Sequence, residues 1–447
     1  MSIAADSPLS SSNSDEFASF LEAQLDVASE EDEFEGFNCT NELNDHPRIK
    51  RPKLDDSDPH NSIPGESHIE NVCPPHPGYV GGMCIRCGHK VENESGVKLS
   101  YIHESMTLAN CEIARLRDKS FKRLMSNKKL ILVLDLDHTL LNSTRFVDIT
   151  TEETYLTYPK ETLPDAVKDT LFHLDEIHMM TKLRPYVDDF LREASKMFEM
   201  YVYTMGERAY AMQVANILDP HKVYFNSTVI AHEDSTQSHQ KGLDVVLAQD
   251  NVVLILDDTE AVWSNHKGNL ILVERYHFFQ SSCKQFGFKC KSLSERKEDE
   301  SKNDGALATI LKILQRVHSL YFHQENSDNL LNQDVRKLLE KVRKEVLQGC
   351  KIVFSRIFPT KFPGKKHHLW RMAEHLGATC STKLDELVTH VVSTDVSTGK
   401  SRWAVNQNKF LVHPGWIEAC NYLWRKEPEE RFPVNQEKIS DSSSTQE

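Results

Sequence analysis

The chain is 447 residues long, with 39% hydrophobic and 27% charged residues and a formal net charge of −14. That length allows two or three domains, and that composition allows a sizeable core with some unfolded sequence beside it. The acidic balance argues against direct nucleic-acid binding, which needs a basic surface, and no apolar stretch reaches the length of a membrane span.

Residues 1–70 read as a disordered acidic tail. The first 47 residues hold about a dozen Asp and Glu and no Lys or Arg, the composition of an interaction tail that cannot bury a core. The opening MSIAADSPLSSSNSDEF lacks the basic start and apolar run of a secretion signal. Arg48, Lys50, Arg51 and Lys53 then reverse the sign of charge, a cluster that resembles a nuclear localisation signal and points to the nucleus.

Residues 71–125 form a Cys/His segment followed by a helix. Cys84 and Cys87 have Cys-x-x-Cys spacing, and Cys73 and His76 supply a second pair upstream. Four such ligands on two turns suit tetrahedral structural zinc, with Gly81, Gly82 and Gly88 fitting tight knuckles. The alternative is an unmetallated loop of reduced thiols; a redox pair is disfavoured because no helix pattern follows it. The apolar spacing of Leu108, Ile113, Leu116 and Leu124 predicts a helix over 107–125.

Residues 126–298 alternate strand and helix patterns. Ile131 to Leu134 is a short apolar run that ends in Asp135 and Asp137, with Thr139 two residues on. Such a run reads as a buried parallel strand, and its carboxyl end is where open α/β sheets place their ligands. Two further runs end in the same way: Phe198–Tyr203 in Thr204, and Asn251–Leu256 in Asp257 and Asp258. Lys241 precedes the third run and can reach the same crevice. Carboxylates gathered around one point repel, so a divalent cation is needed, and oxygen-only ligands favour Mg²⁺. A carboxylate nucleophile beside Mg²⁺, a lysine and a strand-end threonine suits phosphoryl transfer through an aspartyl-phosphate.

This constellation resembles the haloacid dehalogenase superfamily, matched by Asp135/Asp137/Thr139, Thr204, Lys241 and Asp257/Asp258 in order. The blocks LDLDHTLLNST, MMTKLRPYVDDFL, YTMGERAYA and ILDDTEAVW are similar to its FCP/SCP branch, phosphatases of the RNA polymerase II C-terminal repeat domain. The resemblance implies Asp135 as nucleophile, Asp137 as general acid and base, and Thr139 as orienter of the first loop. It implies Thr204 and Lys241 as holders of the phosphoryl oxygens and Arg184 as a phosphate or substrate contact, the alternative for Arg184 being a structural contact at the helix start before Pro185. The implied Mg²⁺ ligands, which would also take Mn²⁺ or Co²⁺, are Asp135, the Asp137 carbonyl and Asp258, with Asp257 in support beside Lys241. The stretch between Ser143 and Met179 carries no catalytic motif; in this branch it implies a small flap, with strands at Phe172–Leu174 and Ile177–Met179. An open flap admits a protein tail, and Tyr155 and Tyr158 are its candidate contacts for proline.

Residues 299–345 read as a helical linker, with apolar spacing over 305–322 and 334–348. Residues 346–437 resemble a BRCT domain in Lys351–Phe354, Leu369–Leu376, Gly377, Thr389-His390 and Trp416. Ser355 and Lys400 stand at the phosphopeptide-binding places of that family, while Arg356 stands where the family often has Gly. Residues 438–447 are a polar, disordered tail.

The expected fold class is thus α/β, a haloacid-dehalogenase-like (Rossmannoid) parallel-sheet phosphatase domain plus a small α/β BRCT domain. The implied activity is a Mg²⁺-dependent serine/threonine phosphatase acting on the phosphorylated RNA polymerase II C-terminal domain. Proteins of the transcription machinery are the implied further partners. The layout is similar to plant C-terminal-domain phosphatase-like proteins. The alternatives are a silent phosphopeptide-binding scaffold, which has no need of the carboxylates, and a small-molecule phosphatase, which has no need of a BRCT domain.

Overall fold

The computed structural model describes residues 73, 76–90, 95–226, 228–323, 332–359 and 362–434. The acidic tail, the Arg48–Lys53 cluster and the C-terminal tail lie outside the described residues. The chain forms two compact units, Met1–Leu116 and Arg117–Glu447.

In the first unit, β1 (Gly78–Val80), β2 (Met83–Cys84), β3 (Val97–Lys98) and β4 (Met106–Leu108) form an antiparallel sheet in the order β2-β1-β4-β3. The strands are only two or three residues long, too short to enclose a core of their own. Helix α1 (Asn110–Ser126) follows and runs on into the second unit. It starts at Asn110 rather than at 107 because Met106–Leu108 is drawn into the sheet opposite Gly78–Val80.

The second unit is built on a parallel sheet of five strands. These are β5 (Leu130–Leu134), β9 (Phe198–Tyr203), β10 (Val229–Ile230), β11 (Val253–Asp257) and β12 (Leu270–Leu272), in the order β10-β9-β5-β11-β12. All five residues of β5 and of β11 are buried, as expected of strands covered on both faces. The chain leaves β5 toward β9 on one side and reaches β11 on the other, so the crevice at their carboxyl ends is a topological switch point.

The stretch after β5 makes a separate antiparallel sheet of β6 (Leu141–Arg145), β8 (Met179–Leu183) and β7 (Leu171–Leu174), in that order. The expected flap strand over 177–179 is displaced: Asp175–Ile177 is a 3₁₀ turn, and His178 sits at φ 53° before β8 begins. Asn142 anchors the flap root, its Oδ1 accepting from the N–H of Phe278 (2.9 Å) and Phe279 (3.0 Å). Helices α2 (Val187–Ala194) and α3 (Arg208–Leu218) follow β8 and β9.

Helices α4 (Ala306–Phe322) and α5 (Val335–Glu345) pair in the linker. The chain then forms a parallel sheet of β13 (Lys351–Ser355), β14 (Thr379–Ser381), β15 (His390–Ser393) and β16 (Phe410–Val412), in the order β14-β13-β15-β16. Around it lie α6 (His368–His375), α7 (Gly399–Asn406) and α8 (Gly415–Leu423). Trp416 is fully buried, stacked on His390 at 4.5 Å with its Nε1–H donating to the Glu427 carbonyl. Gly377 sits at φ 92°, and a Cβ there would meet the Lys344 carbonyl oxygen at 1.9 Å.

Candidate active site

The turn after β5 is tight. The Asp135 N–H donates to Leu256 O on β11, and His138, at φ 63°, donates its N–H to Leu141 O at 2.7 Å. That turn aims Asp135 and Asp137 out of the sheet end. Asp257, at the end of β11, and Asp258 bring carboxylate oxygens within 4.8 Å of one of Asp135. The sequence-predicted carboxylates of two strands therefore meet, with Asp137 beside them rather than among the side-chain ligands.

Lys241 sits between two of the carboxylates. Its Nζ donates to Asp135 Oδ1 at 2.5 Å and to Asp257 Oδ2 at 2.6 Å, and all three side chains are buried. Burial works against the ammonium, but Asp135 and Asp257 outweigh it and hold Lys241 above the ordinary lysine range. Burial, with the Asp257 charge, pushes the Asp135 carboxyl well up despite Lys241. Asp257 is fixed by two more donors, Trp263 Nε1 at 2.8 Å and the Thr259 N–H at 2.8 Å. The Trp of the ILDDTEAVW block thus has a polar duty. It also forms, with Tyr203, an aromatic wall around Lys241 at 5.8 and 5.7 Å from the ring centroids.

Thr204 is buried and accepts from the Gly206 N–H at 2.9 Å, which shapes the turn after β9. Thr139 is wholly buried, and its Oγ1 has no hydrogen-bond partner. Asp137 accepts from Tyr210 Oη at 2.6 Å; burial raises its carboxyl, and this hydrogen bond opposes the shift. Asp258 pairs with Arg275, whose Nη2 also donates to Thr259 Oγ1 at 2.9 Å. Tyr210 lies inside a quoted motif but carries no sequence signal of its partner; Arg275 has no sequence signal at all.

Of the two readings of Arg184, its contacts fit the structural one. It is fully buried and faces protein acceptors rather than the crevice: the Thr139 carbonyl at 3.0 Å, the Glu274 carbonyl at 2.9 Å, and both oxygens of Glu300. With its fork so engaged it braces the turn after β5. Lys182, also fully buried, pairs with Asp299 at 2.5 Å. Two residues beyond the expected boundary at 298 therefore neutralise the phosphatase core.

The flap tyrosines divide. Tyr155 donates to Ser294 O at 2.8 Å and is part of the packing, while Tyr158 is 54% exposed. Tyr158 lines a groove of about 340 Å³ with Thr157, Pro159, Lys160, Leu163 and His173. In the C-terminal module, Ser355 Oγ lies 2.7 Å from Thr398 Oγ1, and Lys400 Nζ donates to the carbonyls of Phe354 (3.0 Å) and Thr382 (3.2 Å). Arg356 adopts φ 54°, a left-handed conformation that explains a family preference for Gly there.

In the first unit, one ligand atom from each of Cys73, His76, Cys84 and Cys87 lies within 4.8 Å of the others. Gly88, at φ 71°, donates its N–H to Cys84 O at 2.9 Å, and the Arg86 N–H points at Cys84 Sγ at 3.4 Å. Burial would raise the Cys84 thiol, but backbone N–H groups of Cys87 and Arg86 and side-chain hydrogen bonds with Cys87 and His76 bring it down to about 6.

Residues 130–318 match the family described as NLI interacting factor-like phosphatase, and 342–421 match the BRCA1 C Terminus (BRCT) domain. The chain is 53% identical to RNA polymerase II C-terminal domain phosphatase-like 4 of Arabidopsis thaliana, over 98% of each chain. It is 39% identical to phosphatase-like 3 of the same plant, over 72% of this chain and 26% of that protein. The solved structure of Fcp1, an essential RNA polymerase II CTD phosphatase, superposes with a TM-score of 0.57 at 25% identity, over 72% of this chain and 100% of that one.

Proposed function

Because the chain belongs to the RNA polymerase II C-terminal domain phosphatase-like family, with an FCP-type phosphatase domain and a BRCT domain, we propose that it is a Mg²⁺-dependent phosphoserine/phosphothreonine phosphatase of the polymerase tail. The observation that carries this reading is the cluster of Asp135, Asp257 and Asp258 around a crevice that also holds Lys241 and Asp137. Asp135, Asp257 and Asp258 are met by Lys241 and Arg275, which leaves an excess of negative charge, and their hard-oxygen donor set fits Mg²⁺. Its ligands would be Asp135, the Asp137 carbonyl and Asp258, with Asp257 holding Lys241. Bound there, it would offset the charge of the phosphoryl oxygens.

Asp135 attacks phosphorus in line, and the bond from phosphorus to the serine oxygen breaks as Asp137 protonates that oxygen. Asp137, now a carboxylate, takes a proton from water; the hydroxyl attacks the aspartyl-phosphate, and inorganic phosphate and Asp135 are released. Lys241 and Thr204 hold the phosphoryl oxygens, and Arg184 holds the turn through the Thr139 carbonyl. The stretch between β6 and β8 is one short strand, a four-residue helix and a series of 3₁₀ helices, too small for a separate cap domain, which suits a flexible protein substrate.

The same reading makes the protein nuclear, meeting the phosphorylated polymerase tail and the transcription proteins that accompany it. The BRCT domain docks protein, with Ser355 and Lys400 as its phosphate contacts. Cys73, His76, Cys84 and Cys87 hold a structural Zn²⁺. Sulfur ligands of a tetrahedral zinc with bonds of ~2.3 Å lie about 3.8 Å apart, in keeping with the spread of the four atoms. The metal would replace the core that the short strands cannot build.

The test is phosphate release from a phosphorylated heptad-repeat peptide, with Mg²⁺ and with a chelator. Release that needs Mg²⁺ and is lost in Asp135→Asn supports the reading. No release from the wild type, or full activity in Asp135→Asn, sinks it and favours a silent scaffold.

A further inference from the structure

Asp137 is tied to a chain of hydroxyls whose direction is fixed whenever its carboxyl is ionised. Tyr210 Oη lies 2.6 Å from Asp137 Oδ1 and 2.7 Å from Ser143 Oγ, and Ser143 Oγ lies 2.8 Å from Thr181 Oγ1. A phenol and an aliphatic hydroxyl each have one proton to donate. With Asp137 ionised, Tyr210 must donate to the carboxylate. Ser143 must then donate to Tyr210, and Thr181 to Ser143. The chain starts on β8 and β6, the flap strands, crosses to α3, and ends on the turn after β5.

From this geometry we infer that Tyr210 is a positioning residue that divides the two oxygens of Asp137 between separate duties. In the carboxylate form Oδ1 is held as an acceptor by the phenol, so the proton taken from water goes to Oδ2 and is given from there to the next leaving oxygen. The inference rests on the phosphatase reading above, in which Asp137 protonates the serine oxygen. Three features fix the phenol in place. Tyr210 is nearly fully buried. A Cβ at Gly206 would lie 2.8 Å from its Cδ1, so the residue two beyond Thr204 must stay small for the ring to reach the site. Ser143 and Thr181 are neighbours across the paired flap strands, so the relay is anchored by backbone pairing rather than by a mobile side chain.

The step that depends on this arrangement is P–O bond cleavage with transfer of the Asp137 proton to a poor leaving group. An aryl ester such as p-nitrophenyl phosphate leaves as a stable anion and needs no such proton. The two substrates therefore separate the role of Tyr210 in aiming the acid from any general role in folding the site. Tyr210→Phe keeps the ring and removes only the hydroxyl.

The experiment compares wild type, Tyr210→Phe and Ser143→Ala on a phosphoserine heptad peptide and on p-nitrophenyl phosphate, with kcat and KM measured for each. Loss of one hydrogen bond to a charged group predicts a drop of roughly 10-fold or more in kcat for the peptide. KM should hold, and the loss on the aryl ester should be several-fold smaller. Ser143→Ala, one link further out, should give the same pattern with a smaller drop. Equal loss on both substrates, or no loss on either, with an active wild type overturns this inference alone. A wild type that hydrolyses neither substrate overturns the phosphatase reading and this inference with it.

Discussion

Arg184 and Glu300 are 116 positions apart and form a two-pronged ion pair, Nε to Oε2 at 2.9 Å and Nη2 to Oε1 at 2.7 Å. The arginine is fully buried and its remaining donors hold the turn that carries Asp135 and Asp137. A glutamate at residue 300 thus braces the turn that carries the two aspartates.

Removal of Glu300 leaves a buried guanidinium without a counter-charge. Glu300→Ala should cost about 3 kcal/mol of stability, and a chain ended at residue 298, which also strips Asp299 from Lys182, should fail to fold stably. Chemical denaturation of Glu300→Ala against wild type checks this; equal midpoints would show that water replaces the carboxylate at no cost.

Gly377 is committed twice, by its φ of 92° and by the Lys344 carbonyl 1.9 Å from where a Cβ would stand. Gly377→Ala should destabilise the BRCT domain by about 2 kcal/mol or more. Limited proteolysis should release that domain's fragments first and spare the phosphatase domain. A proteolysis pattern like that of wild type would refute this.

His277 is a pH-sensitive group of the region. Burial, with the charges of His138 and Arg275, lowers it from 6.5 to about 4, and its Nε2 is buried without a hydrogen-bond partner. Between those two values the unfolded chain binds a proton that the folded one refuses. The stability contribution is therefore complete above pH 6.5 and is lost as pH falls through about 4. His277→Phe should flatten the dependence of denaturation midpoint on pH in that window. A wild-type slope retained in the variant would assign the effect elsewhere.

Zinc should be found at about one equivalent in purified protein and be lost in Cys84→Ser, with thermal unfolding of the first unit shifted down. Metal analysis that finds no zinc in wild type would end the assignment.

Much of the site was legible because its motifs sit at strand ends. Asp135, Asp137, Thr204, Asp257 and Asp258 each follow a short apolar run, and the period-free run itself says which end of the strand meets the crevice. Other parts were hidden because their partners are far away in the chain. Nothing near Tyr210 announces Asp137, 73 positions away. Nothing near Asp299 and Glu300 announces Lys182 and Arg184, and a charged stretch reads as a linker until its counter-ions are seen. Arg184 stays open in the sequence for the same reason: an arginine before Pro185 has the chemistry to hold phosphate or to brace a helix start, and only the location of its acceptors shows it holding backbone and Glu300.

The sequence by itself determined the α/β class, the two domain types and the carboxylate set, since these rest on local pattern: apolar runs, strand-end acids and spaced cysteines. The tertiary structure alone decided which buried charge neutralises which, that Asp299 and Glu300 pair back onto Lys182 and Arg184, and which hydroxyl meets Asp137. Those outcomes depend on desolvation and on hydrogen-bond distance, and both are set by chain segments that meet only when the fold closes.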